Sequence, residues 1–157
     1  MKASVYLETK VVSCLASRPS CDLVIVAHQA ITREWWDARR SGFDLFVPEI
    51  LVEEVSAGDP EAARTRLDLV ATLPRLALTT NVENLARRLV AEGAIPEKAA
   101  VDALHIAVAT VHAMSDLVTW NCKHIANAEL CAEVVRICNN AGYEPPIICT
   151  PEELMGD

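Results

Sequence analysis

A three-layer α/β domain, with helices on both faces of a mainly parallel sheet, is the fold this sequence predicts. Three observations predict it. The chain has 157 residues, 52% of them hydrophobic, which suits one domain over 1–157 with one substantial core. Short apolar runs with strand composition alternate with longer amphipathic stretches at helical spacing. No internal repeat, linker or charge block divides the sequence.

Ser4–Leu7 reads as a first strand ending at Glu8, and Val11–Ala16 as a short helix stopped by Arg18-Pro19. Asp22 caps a long helix toward Arg40, along which Val24, Ala27, Ile31 and Trp35 form the expected apolar stripe. Gly42 ends it, and Asp44–Val47 is a second strand. Pro48 opens a helix through Val55, Gly58-Asp59-Pro60 is a turn, and Glu61–Leu73 is helical. Arg75–Leu78 is a weak third strand, followed by a helix capped by Asn81 and closed at Gly93. Pro96 opens a helix through about Met114, Leu117–Trp120 is the fourth strand, and Asn127 to Asn140 is helical. Ile147–Cys149 is a last short strand before Pro151–Leu154.

Composition excludes several classes. The longest apolar runs, such as Leu23–Ala27, are too short to span a bilayer, so no membrane association is expected. Glu8 and Lys10 fall where an export signal needs apolar residues, and a cytoplasmic location is expected. The net charge of −8 argues against a protein that coats nucleic acid through bulk positive charge, though not against a nuclease with metal ions and a local basic patch. The six cysteines contain no Cys-x-x-Cys pair, and Cys131 and Cys138 share a helix face; buried, reduced thiols are expected.

Ligands of parallel sheets bind outside the carboxyl ends of the strands, which decides which acids matter. Glu8 follows strand one and Asn121 follows strand four, so both sit at that edge. Asp116 precedes strand four and is excluded. Asp102 interrupts the apolar stretch Ala99–Met114, where a carboxylate is costly unless it is paired or bound to metal. His105, three residues on, is the expected neighbour if the role of Asp102 is structural. Of Glu53 and Glu54, periodicity favours Glu54 only weakly as the one leaning inward. Carboxylates so close repel one another unless they share a cation, and oxygen ligands favour Mg²⁺ or Mn²⁺.

These residues resemble the PIN-domain family of metal-dependent ribonucleases over nearly the whole chain. Tyr6-Leu7-Glu8-Thr9 is similar to the family's opening strand and first acid, and Pro48–Val55 to the helix carrying the second. Val101-Asp102-Ala103-Leu104-His105-Ile106-Ala107 is similar to the third-acid helix, and Leu117-Val118-Thr119-Trp120-Asn121 to the fourth strand and its polar end. The resemblance selects Glu54 over Glu53. It implies a PIN-like fold and a catalytic, metal-holding set of Glu8, Glu54, Asp102 and Asn121 with Mg²⁺ or Mn²⁺. It also implies hydrolysis of single-stranded RNA to 5′-phosphate and 3′-hydroxyl ends. Many members are VapC-type toxins with a co-expressed antitoxin, so an antitoxin partner and a homodimer are expectations too.

Glu8 stands where the family has Asp, Asn121 is neutral, and Lys10 replaces a small residue beside the first acid. These departures support an alternative, a catalytically weak or inactive PIN-fold module that binds RNA or regulates. Thr119 reads mainly as a strand residue, with orientation of Asn121 or a bound water by its hydroxyl as the alternative, and Lys123 and His124 as loop residues, either solvated or in contact with phosphate. Trp35 reads as core, Trp36 as pointing elsewhere, and Trp120 as core or a base-stacking surface. Arg33, Arg39, Arg40, Arg64, Arg66, Arg87 and Arg88 are candidates for an RNA-binding rim.

Overall fold

The computed structural model describes residues 1–156. Five strands, β1 (Ala3–Leu7), β2 (Phe43–Pro48), β3 (Arg75–Leu76), β4 (Asp116–Val118) and β5 (Ile147–Cys149), form one sheet in the order β3-β2-β1-β4-β5. Every pairing is parallel; Val5 of β1 lies between Leu45 and Asp116. A central parallel strand is covered on both faces, so it carries consecutive apolar residues rather than an alternation. Val5, Tyr6 and Leu7 accordingly are all fully buried.

Successive side chains of these strands feed two cores. Tyr6 and Leu117 join one with Leu85 and Leu89 of α5 (Thr80–Ala91), Ile106 of α6 (Ala100–Val111) and Ile137 of α7 (Ala128–Asn140). Val5, Leu7, Val47 and Val118 join the other with helices α1 (Thr9–Ala16), α2 (Leu23–Arg39), α3 (Ile50–Ser56) and α4 (Pro60–Val70). Helices therefore cover both faces, as the three-layer prediction requires.

Local chemistry sets most helix starts. Asp22 accepts from the N–H groups of Val24 and Ile25, Asp59 from Ala62 ahead of α4, and Asn127 from Glu129. The expected cap at Asn81 is instead Thr79, whose extended backbone and hydroxyl meet the Val82 N–H at 3.3 Å. Pro96 stays extended and leads through a 3-10 turn, Glu97–Ala99, into α6. That helix ends at Val111, and Ala113 turns the chain with φ of 54°. Pro48 closes β2 rather than opening α3.

Three expectations about burial are corrected. The stripe on α2 is displaced: Val24 and Ala27 are exposed, and the buried residues are Gln29, Thr32, Trp35 and Trp36. Gln29 tolerates burial because Ser20 N–H donates to its Oε1 and its amide donates to Arg18 O; the Thr32 hydroxyl donates to His28 O. Trp36 is not turned away from the core but packs into it, with the Arg40 guanidinium 4.8 Å above its ring. The six cysteines are free, yet only Cys138 and Cys149 are buried; Cys21, Cys122 and Cys131 are exposed. Among the described residues, no helix is long and apolar enough to cross a membrane.

Candidate active site

A parallel sheet puts every strand's carboxyl end on one edge. The chain builds from β1 outward through β2 and β3 and returns to β4 on the other side of β1. The connections thus diverge between β1 and β4, and the carboxyl ends of those two strands are where ligands of such sheets bind. Glu8 directly follows β1, and Thr119 and Asn121 follow β4. Asp102 lies in the first turn of α6, the helix leading into β4, and Glu54 on α3, which follows β2. Asp116 opens β4 at the opposite edge, as expected, and burial raises its carboxyl above the ordinary value.

A run of hydrogen bonds ties these segments together. Glu8 is 3% exposed, and its Oε2 accepts from the Thr119 hydroxyl at 2.9 Å and the Lys10 N–H at 3.1 Å. Thr119 Oγ1 also accepts from the Asn121 N–H at 2.9 Å. Asn121 Oδ1 accepts from the His124 N–H at 3.1 Å, and His124 Nδ1 lies 2.9 Å from Asp102 Oδ2. One turn further along α6, His105 Nε2 lies 3.0 Å from Glu54 Oε1 and its Nδ1 lies 2.7 Å from the Tyr6 hydroxyl. Tyr6 is two residues before Glu8 on β1, so the set of contacts closes on itself.

Several of these partners differ from the sequence reading. His105 does not hold Asp102. It is 1% exposed and faces β1, whereas Asp102 sits at the helix mouth and meets His124 from the loop after β4. Thr119 is more than a strand former, because its hydroxyl joins Glu8 to Asn121. Tyr6 joins the set without a role expected from the sequence; its signal there is a tyrosine in a buried strand, whose hydroxyl requires a partner. Glu54 leans inward while Glu53 is exposed. Trp120 is half-buried: it donates to Thr32 Oγ1 at 2.7 Å and stacks flat on His28, with centroids 3.9 Å apart.

The two anchored glutamates are pushed in opposite directions. Burial drives the Glu8 carboxyl above its ordinary value, and His105, the Thr119 hydroxyl and Lys10 offset only part of this. Burial also raises Glu54, but the hydrogen bond and field of His105 outweigh it and leave this carboxyl below its ordinary value. The Tyr6 hydroxyl is held well above the usual range by burial and by the charges of Glu8 and Glu54.

The donor chemistry fits a hard divalent cation. It comprises three carboxylates and one amide, and among the described residues none of the carboxylates is bridged to Lys or Arg. The buried Thr9 hydroxyl, next to Glu8, acts with His105 to lower the Glu54 carboxyl. Glu54 and Asp102 are each engaged by an imidazole instead. Among the described residues no group of three His, Cys, Asp or Glu side chains stands ready to grip an ion.

Four of the seven candidate rim arginines are engaged within the chain. Arg66 donates to Val55 O and Ala57 O, Arg33 donates to Ser17 O, and Arg87 and Arg88 pair with Glu83 and Glu92. A cavity of about 440 Å³ between α5 and α6 is lined by Leu78, Ala86, Val90 and Leu104 among others, and Glu8, Glu54 and Asp102 do not line it.

No protein-family model matches the chain, and no curated protein matches it in sequence. Its fold is similar to a chain in the crystal structure of VapBC2 from Rickettsia felis bound to a DNA fragment from their promoter. That likeness covers 94% of this chain and 98% of the other, with a TM-score of 0.58 and 16% sequence identity. At that identity the likeness establishes the fold, and the PIN-like architecture expected from the sequence is present.

Proposed function

We propose that this protein is a metal-dependent endoribonuclease that hydrolyses phosphodiesters of single-stranded RNA. The observation that supports the reading is the placement of Glu8 and Asn121 just after β1 and β4, of Asp102 in the first turn of the helix leading into β4, and of Glu54 on the helix that follows β2. Among the described residues none of the three carboxylates is bridged to Lys or Arg.

In this reading Glu8, Glu54 and Asp102 hold Mg²⁺ or Mn²⁺, with Asn121 adding a neutral oxygen. When bound, such an ion activates water for in-line attack and stabilises charge on the phosphate oxygens. Thr119 fixes Glu8 and His124 orients Asp102. Lys10 and Lys123, both exposed, are the cations nearest in sequence to these ligands and the first candidates to meet phosphate.

We further infer that the protein acts in the cytoplasm as the toxin of a two-component pair, as a homodimer neutralised by an antitoxin protein. The likeness to a chain of VapBC2 supports this reading. Expression without a cognate antitoxin is then expected to arrest growth, and the Asp102→Asn form is not; harmless wild-type expression would count against the toxin role.

The decisive experiment compares RNA cleavage with Mn²⁺ by wild type and Asp102→Asn, both freed of contaminating ribonucleases. The expected loss is at least about 10²-fold, because a metal-activated water supplies several kcal/mol of barrier lowering. Equal rates would remove Asp102 from the mechanism. A second reading, a PIN-fold module that binds RNA without cutting it, is favoured by the imidazoles engaging Glu54 and Asp102. RNA binding with neither cleavage nor Mn²⁺ uptake by wild type would establish that reading.

A further inference from the structure

We propose that Tyr6 and His105 are positioning residues that orient the Glu54 carboxylate at the carboxyl edge of the sheet. This rests on the reading of Glu54 as a metal-holding group. Glu54 needs outside support. Its helix, α3, has seven residues and no side-chain cap at its N-terminus, and the Glu54 side chain is 28% exposed. Its Oε1 is held by His105, which is 1% exposed on α6.

A carboxylate only accepts, so His105 Nε2 carries the hydrogen of this contact. The ring's other nitrogen is closed by the Tyr6 hydroxyl at 2.7 Å, from a strand residue that is fully buried. The Tyr6 and His105 rings meet edge-on, with centroids 5.9 Å apart and an interplanar angle of 82°. The imidazole is thus fixed in position by packing and in rotation by its two nitrogen contacts. His105 thus holds the Glu54 carboxylate through Oε1.

The same strand carries both ends of this arrangement. Glu8 follows Tyr6 by two residues, and extended backbone sends both to one side of the sheet. One acid is attached to β1 directly and the other through Tyr6 and His105. β1 thereby sets the spacing between Glu8 and Glu54, although the acids lie 46 positions apart in the sequence.

The test is titration of the metal-free full chain with Mn²⁺ by calorimetry, comparing wild type, Tyr6→Phe and Val134→Ala. Tyr6→Phe keeps the ring and removes only the hydroxyl. Partners that orient metal ligands are worth about 10–100-fold in metal affinity, so Tyr6→Phe is expected to weaken Mn²⁺ binding about 10-fold. Val134 is buried in the same core on α7, and its truncation loosens packing without touching these contacts. Its Mn²⁺ affinity is expected to stay at the wild-type value.

His105→Phe provides a second route should Tyr6→Phe not fold. It must weaken binding at least as much, and the double variant must lose no more than His105→Phe alone. Unchanged affinity in Tyr6→Phe, additive losses in the double variant, or an equal loss in Val134→Ala would each overturn the proposal and leave the nuclease reading standing. Absence of Mn²⁺ binding by wild type would instead remove the metal-dependent reading and this proposal with it.

Discussion

Replacing Thr119 by Val isolates the hydroxyl that joins β1 to the loop after β4. The two side chains have the same shape, so the change exchanges a polar group for a methyl and little else. Thr119 is fully buried, and its Oγ1 donates to Glu8 Oε2 and accepts from the Asn121 N–H, each at 2.9 Å. A hydrogen bond to a charged group contributes about 1.5–3 kcal/mol, and an abandoned buried N–H costs about 1–3 kcal/mol. Together they predict a loss of about 4 kcal/mol, or roughly 8–16 °C in Tm for a chain of this size. In a Glu8→Gln background the acceptor becomes a neutral carbonyl, and the loss should fall by about 1 kcal/mol. Urea unfolding of the four proteins at pH 7 measures both numbers. A loss under about 1 kcal/mol, or the same loss in both backgrounds, would refute the claim that this hydroxyl stabilises a buried charge.

Glu8→Gln alone should raise stability at neutral pH. Because the folded pKa of Glu8 is raised, the fold favours the protonated form, and stability is lost as pH climbs from the unfolded pKa through the folded one. The advantage of Gln should therefore shrink as pH falls below the ordinary carboxylate range, as Tm against pH will show; a wild type more stable at neutral pH would contradict this. Ala113 adopts φ of 54°, a conformation costly to any residue with a Cβ, so Ala113→Gly should gain about 1 kcal/mol in chemical denaturation. Disulfide-exchange labelling at pH 8 should modify Cys21, Cys122 and Cys131 rapidly. It should spare Cys149, whose thiol is buried and pushed up to about 12, until the chain unfolds. Fast labelling of Cys149 in the native protein would show that β5 opens readily.

Where most of the candidate residues fall in the fold was legible in the sequence. Strand composition places Glu8 and Asn121 at one edge, and the cost of a carboxylate in an apolar helix points to Asp102. Helical spacing alone favours Glu54 over Glu53 only weakly, because both share a face with Ile50. Spacing likewise suggested His105 for Asp102, since residues three apart share a face. It says nothing of depth, and depth sends His105 inward to Tyr6 and leaves Asp102 at the mouth to meet His124. The α2 stripe failed for a related reason. Apolar periodicity assumes polar residues stay outside, whereas Gln29 and Thr32 are buried because nearby backbone groups satisfy them.

By itself the sequence determined the alternation of strands and helices and the supply of oxygen donors at strand ends and on two helices. These are local consequences of hydrophobic period and backbone propensity. Only the tertiary structure decided which donor meets which: Thr119 with Glu8, His124 with Asp102, and Tyr6 through His105 with Glu54. Such pairings depend on the sheet order and on how far each helix slides along it, and nothing in a run of neighbouring residues encodes either quantity.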